Sequence, residues 1–387
     1  MSKFSINQIT GKQGQQGTVM AGVTTVSSTG SMRIPSGPTE QRGGRGRGIF
    51  SGGYKQTSPN TGDVNHIEFI EIATTGNSTD FGDITNSRRG TGGSCASSTR
   101  YVQMGGRDSP LNETTIDYVI FSSGGGASEF GEVTNGVSNA GSTSDSTRGI
   151  CHSGSRGNPS GAVSPLIDFI TLATTGNASD FGDASVQRFT HAGTSSPTRG
   201  VFAGGYNPVE LGSIEYLTIQ SKGNGIDFGN LTATRRRLGG GSNTTRAIFA
   251  GGMRYPSSPN GVDIIDYITM ASTGDAIDFG NLPSSNSSMT AGGNTSSTRC
   301  VINHVQTSAP DNTMSYVTIA TTGDAADFGD LATAAHTMTC CYNSVRTVVG
   351  GMRQSPAYVN TMEYLTTATL GNSIDFGDQT DNRGGAA

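Results

Sequence analysis

Short runs of alternating apolar and polar residues fill most of the chain, separated by turns rich in glycine, threonine and asparagine. Ile214-Glu215-Tyr216-Leu217-Thr218-Ile219 is representative. Its β-branched and aromatic residues, bounded by turn residues, predict a strand. Apolar side chains fall on both of its faces, the pattern of a strand covered on two sides by neighbouring sheets. The Thr-Thr-Gly-Asn segment from Thr174 to Asn177 supplies turn chemistry, because Gly and Asn tolerate positive φ. No segment carries an apolar stripe at helical spacing for more than two turns, so the expected class is all-β.

The pattern repeats. Asp-Phe-Gly occurs at Asp80, Asp180, Asp227, Asp278, Asp327 and Asp375, with Glu129-Phe130-Gly131 in the one gap, at spacings of 49, 51, 47, 51, 49 and 48 residues. Ahead of each stands an apolar–polar–aromatic triplet such as Ile67-Glu68-Phe69, Ile167-Asp168-Phe169 or Met362-Glu363-Tyr364. Further upstream an arginine opens a short apolar run that usually closes on Gly-Gly, as in Arg199-Gly200-Val201-Phe202-Ala203-Gly204-Gly205. Seven units result, beginning near 47, 100, 148, 199, 246, 299 and 346. Each has room for about four strands.

An all-β unit of this period resembles a Kelch blade. The order of landmarks is similar: arginine, strand, strand ending in Gly-Gly, aromatic strand, then a Leu-Thr-x-x-Arg tail, clearest at Leu231-Thr232-Ala233-Thr234-Arg235. The later tryptophan of Kelch blades is absent, with Asp-Phe-Gly near its place. The expectation is a seven-bladed Kelch-like β-propeller, residues 43–387, preceded by an extended or hairpin N-terminal arm, residues 1–42. Crowding near a central axis suits the small Gly-Gly pairs. The first unit begins abruptly at Arg45-Gly46-Arg47, so the C-terminal residues 379–387 are expected to add a strand to it and latch the ring.

Up to Pro38 the arm has Lys3, Lys12 and Arg33 but no acidic residue. Thr18 to Val26 has strand composition, and Ser27-Ser28-Thr29-Gly30 can turn it into Ser31-Met32-Arg33-Ile34-Pro35. A lone hairpin is marginal in water, so Lys3, Lys12, Val23, Val26, Met32, Arg33 and Ile34 are the candidate docking residues, pairing with the body or with another chain.

Composition narrows the function classes. The 387 residues include 58 Gly and no Trp; the hydrophobic share of 32% reaches the globular range only with glycine counted in. A net charge of −5 and 14% charged residues argue against disorder and against a basic nucleic-acid surface. Nothing approaches the roughly 20-residue apolar run of a membrane helix. The start, Met1-Ser2-Lys3-Phe4-Ser5, leads into no apolar signal region. Cys95, Cys151, Cys300, Cys340 and Cys341 lack metal spacing and are expected as small buried thiols.

Catalytic patterns are missing. His66, His152, His191, His304 and His336 share no repeat position and are expected on loops or at the surface. Gly43-Gly44-Arg45-Gly46-Arg47-Gly48 lacks the preceding strand and following helix of a phosphate loop. The Asp-Phe-Gly carboxylates recur in every unit, where one active site would need one set. Their expected role is packing: Phe fills space between blades, Gly permits a turn and Asp caps amides. The repeated Arg47, Arg100, Arg148, Arg199, Arg246, Arg299 and Arg346 are expected to pair with those carboxylates. No cofactor or metal is implied. Recognition is expected where the units differ, in the loops after Gly-Gly: Tyr54, Lys55, Arg107, Asn112, Tyr206, Asn207, Arg254, Tyr255, Arg353 and Gln354.

The unit Arg-Gly-Val-Phe-Ala-Gly-Gly … Ile-Glu-Tyr-Leu-Thr-Ile … Asp-Phe-Gly-Asn-Leu resembles the Kelch-like repeats of structural proteins from tailed phages of marine bacteria, cyanophages especially. The leader from Val23 to Gly37 is similar to that group as well. The resemblance implies a non-enzymatic virion component, a tail, fibre or other appendage protein. Residues 1–42 would contact other virion proteins, and the loops would meet a host-surface protein or glycan, with no nucleic acid and no membrane insertion. A capsid-decorating protein without a receptor is the alternative within that class, and a glycan-cleaving propeller enzyme the alternative outside it.

Overall fold

The protein is described from a computed structural model, which covers residues 46–384 apart from 58–59, 91–92, 158–161, 257–260, 287, 290–294, 306–309, 344 and 355–356. Contacts divide the chain between Ser36 and Gly37, and every described residue belongs to the second part. The docking-arm candidates Lys3, Lys12, Val23, Val26, Met32, Arg33 and Ile34 lie outside the described residues.

The fold is all-β, built of small antiparallel sheets. Ala192–Ser195, Arg199–Ala203, Ser213–Thr218 and Ile226–Asn230 lie side by side in that order, each antiparallel to the next. Among the described residues six such four-stranded sheets follow the sequence repeat, together with a three-stranded first sheet of Arg47–Ser51, His66–Glu71 and Thr79–Asp83. Smaller hairpins, such as Tyr54–Thr57 with Asn60–Asp63 and Arg353–Gln354 with Ala357–Tyr358, form within the loops after Gly-Gly. No helix of the described residues is long and apolar enough to cross a membrane.

The third strand of each repeat is buried on both faces, as its mixed pattern predicts. In Ser213–Thr218, Ile214, Glu215 and Leu217 are buried and only Thr218 is exposed. The core is therefore a series of apolar clusters between successive sheets. Ile150, Ile167 and Phe181 of the third sheet pack on Phe202, Leu217 and Ile219 of the fourth. Val348, Met362 and Phe376 of the last sheet pack in the same way on Phe50, Ile70 and Ile72 of the first. Each such side chain contributes about 1.5–3 kcal/mol by leaving water.

Asp-Phe-Gly is the joint between sheets. In every unit the backbone N–H of the turn glycine donates to the Phe carbonyl of the preceding unit at 2.7–3.1 Å, from Gly125 on Phe81 through Gly371 on Phe328. The Phe ring meets its own unit's aromatic residue edge-on, as in Tyr216–Phe228 at 5.9 Å. The motif glycine has no room for a side chain: a Cβ on Gly229 would lie 2.4 Å from the carbonyl of Gly274. Asp80, Asp180, Asp278 and Asp327 accept from the N–H of the motif glycine two residues on, the amide-capping role expected of them.

The repeated arginines do something other than expected. They do not pair with the Asp-Phe-Gly carboxylates. Arg199 donates to the Met270 carbonyl of the next unit at 2.8 Å, with its guanidinium 4.5 Å from the Tyr216 ring centroid. Arg47, Arg100, Arg148, Arg246, Arg299 and Arg346 repeat that arrangement. A planar cation that reaches over a ring to a carbonyl satisfies both without a carboxylate.

Of the expected latch, residues 379–387, the described part reaches the first unit: Gly384 and Tyr54 exchange two backbone hydrogen bonds, at 2.7 and 3.1 Å, and form a bridge. One further expectation is corrected. His152, His191 and His304 are buried, not superficial. Cys95, Cys151 and Cys300 are buried as expected, and Cys340 and Cys341 are half-buried.

Candidate functional site

The loops expected to carry recognition leave the arginine strand through Gly-Gly, and the structure explains the pair. Gly204 and Gly205 take φ of +65° and +105°. A Cβ on Gly204 would meet the Arg235 carbonyl at 2.5 Å. The backbone therefore passes directly over the tail of the same unit.

Beneath these loops lies a charge layer that the sequence analysis did not assemble. The polar centre of the triplet is buried: Glu68, Asp117, Asp168, Glu215, Asp266 and Glu363 are each at most 1% exposed. The tail of the preceding unit supplies their partners. Arg235 Nη2 lies 3.0 Å from Asp266 Oδ2, and Thr232 Oγ1 donates to Asp266 Oδ1 at 2.6 Å. Arg88 and Thr85 hold Asp117 in the same way, Arg188 and Ser185 hold Glu215, and Arg383 and Thr380 hold Glu68. Arg156, from the third unit's own loop, holds Asp168 at 2.7 Å. Burial pushes the guanidinium pKa values of Arg88, Arg188, Arg235 and Arg383 down, while their carboxylate partners pull them back.

The Leu-Thr-x-x-Arg tail is thus a two-pronged ligand for the next sheet's acid. The acid recurs in six of the seven units and the tail arginine in four, and that shared recurrence, an acid centred in an apolar strand and an arginine with no apolar role, is the signal that links them. Where the tail lacks arginine the acid changes or finds other partners. Ser315 replaces it in the sixth unit and meets His304 Nε2 at 2.9 Å. Glu363 takes the Ala332 N–H at 2.8 Å and the Ser373 hydroxyl.

One part of this layer differs. Glu215 Oε1 faces both Arg188 and, at 3.2 Å, His152 Nε2; His152 Nδ1 in turn lies 3.1 Å from His191 Nε2. His152 is stacked on Phe202 at 3.9 Å. Burial lowers the pKa of both imidazoles, His191 the further, with His152 and Arg188 adding to the effect. Burial also raises the Glu215 pKa, but His152, Arg188 and Ser185 outweigh it and hold the carboxyl at about 2.

The ten loop candidates separate on this scaffold. Asn112 is buried and donates to the Ser155 and Gly157 carbonyls, so it joins two units. Tyr54 lies between the Arg89 guanidinium, 4.3 Å from its centroid, and the Tyr358 ring at 6.3 Å. Lys55 is tied to Asp381. Tyr206 is covered by Arg236 at 4.6 Å and meets Phe189 edge-on, and Asn207 donates to the Gln187 carbonyl. Arg107 is half-buried, and Arg353 is half-buried beside Tyr358. Arg254, Tyr255 and Gln354 are exposed, Tyr255 at 68%. Leu111 and Val209 join them as exposed apolar residues in the same loops.

The carboxylates of the charge layer are sealed from solvent and cannot meet an external substrate. Among the described residues, the loops expose arginine, tyrosine, glutamine and aliphatic groups. Among the described residues, no group of three or more His, Cys, Asp or Glu is placed to hold a metal ion. No protein-family model matches the chain, and no curated protein matches it.

Proposed function

We propose that the chain is a non-enzymatic structural protein of a phage virion, a seven-bladed Kelch-like propeller that displays its post-Gly-Gly loops to a host surface or a neighbouring virion protein. Its N-terminal residues 1–42 would attach it to the particle. The observation that carries the propeller is the recurrence of every joint between the last unit and the first. Gly76 bonds to Phe376, Arg346 to the Ala73 carbonyl and Arg383 to Glu68, as their equivalents do between consecutive units. A line of sheets would leave those partners apart; a ring brings them together. The virion assignment follows from the repeat and leader sequences, and the non-catalytic role from acids committed to internal arginines.

Particle binding tests the assignment. The full chain should bind purified virions, and a variant lacking residues 1–42 should lose that binding; undiminished binding refutes the anchor. Host-cell binding by residues 43–387 would mark an adhesin, whereas a full chain that binds particles and not host cells would mark a decoration protein. Release of reducing ends from host glycan by the purified protein would overturn the non-enzymatic role.

A further inference from the structure

Three arginines in a row close the tail of the fourth unit, and they go three ways. Arg235 turns inward onto Asp266 at 3.0 Å. Arg236 lies over the Tyr206 ring at 4.6 Å and faces Glu210 at 3.5 Å. Arg237 is exposed, with its Nη1 3.8 Å from Met253 Sδ. Among the described residues no carboxylate pairs with it. Partial burial, and then the charge of Arg236, push its pKa down, so its surroundings oppose the charge rather than balance it.

The backbone at Arg237 is costly as well. Its φ is +54°, where a bulky side chain is strained. The joint between units imposes that conformation: the Arg237 N–H donates to the Thr190 carbonyl at 2.8 Å, as the Thr190 N–H does to the Asn139 carbonyl at 3.0 Å. Gly90, Asn139 and Thr190 hold the same place in their units, at φ of +55°, +52° and +52°. Glycine or asparagine would serve the fold better there than arginine. Strain, repulsion and the lack of a counter-charge are the profile of a residue kept for a ligand. Its surroundings suit one. Arg236 and Met253 exchange two backbone hydrogen bonds, at 3.0 and 2.7 Å, which carry Arg254 and Tyr255 of the next unit's loop alongside. Both are exposed, Tyr255 at 68%.

We propose that Arg237, with Arg254 and Tyr255, binds an acidic polysaccharide. The guanidinium fork matches the paired oxygens of a sugar carboxylate or sulfate, and the tyrosine ring offers a face to sugar C–H groups. A nucleic acid fits less well: it is tracked phosphate by phosphate over a broad basic surface, whereas this chain has a net charge of −5 and an exposed acid on the outer strand of every unit. The inference names a ligand class for the loops of the proposed virion protein and rests on that reading only for the source of the polymer.

Titration calorimetry of the full chain with alginate (a polyuronate), dextran sulfate, neutral dextran and single-stranded DNA tests it. At least one of the two acidic polysaccharides should bind, neutral dextran should not, and DNA should bind about tenfold more weakly or worse. Arg237→Asn should weaken the polysaccharide Kd about tenfold while the melting temperature falls by no more than about 1 °C. Lys222→Ala removes a cation that lies over Phe169 in a turn away from these loops, and should leave the Kd unchanged. A larger fall in melting temperature would make Arg237 a structural residue and overturns the proposal. So does an equal loss of binding in Lys222→Ala, no binding of either acidic polysaccharide, or binding of dextran or DNA as tight as theirs. Particle binding is not read in any arm, so the virion assignment and this inference can fail separately.

Discussion

The backbone N–H of Gly76 donates to the carbonyl of Phe376 at 2.7 Å, across 300 residues of sequence but across a single joint in space. A Cβ on Gly377 would lie 2.5 Å from the Gly76 carbonyl, so the two segments touch backbone to backbone. The joint therefore tolerates no side chain.

Gly377→Ala is expected to destabilise the fold by about 2 kcal/mol or more, because alanine meets both a positive φ and fixed backbone atoms. Gly124, with open space around it, is the control, and Gly124→Ala should be near neutral. Urea unfolding of the two variants compares them directly.

Arg346→Met should cost about 1 kcal/mol, as much as Arg199→Met, since both lose a charged hydrogen bond to a carbonyl and a stacked ring. Equal losses in thermal melting are the outcome expected of a ring. An unaffected Arg346→Met beside a destabilised Arg199→Met would show that the last and first sheets are not joined.

Arg235 and Asp266 are both fully buried, 3.0 Å apart. Arg235→Met alone should cost about 3–5 kcal/mol by stranding a carboxylate, and adding Asp266→Leu should recover much of the loss. Denaturant titration of both single variants and the double variant completes the cycle.

Stability should fall in mild acid through His152 and His191. Both have folded pKa values below the ordinary 6.5, so the unfolded chain binds more protons and stability declines as pH drops below about 6.5. Above that pH their contribution is constant. Glu215 favours protonation of His152, while Arg188 and Arg156 oppose it. His191→Leu, matching Leu238 at the equivalent position, should flatten the slope between about pH 5 and 6.5 in denaturation at stepped pH. With Glu215 ionised, both neutral rings should carry their proton on Nε2, a tautomer that ¹⁵N chemical shifts report directly.

The strands, their turns and their period could be read from the chain itself, because a strand's alternation and a glycine turn's dihedral demand are local. Ile214 to Ile219 was legible as a doubly covered strand, and Asp-Phe-Gly as packing chemistry. Partner choice was not legible in the same way. Arg199 stands where all seven units have arginine and Arg235 where four do, yet one lies over a ring against a carbonyl and the other is buried on Asp266. That difference arises only when two sheets from separate stretches of sequence come together and one arginine is enclosed while the other stays near water. The pairing of His152 with His191 and the burial of Asn112 were decided at the same level. Chain order limits which units are neighbours, but inter-sheet distance and burial choose which groups bond.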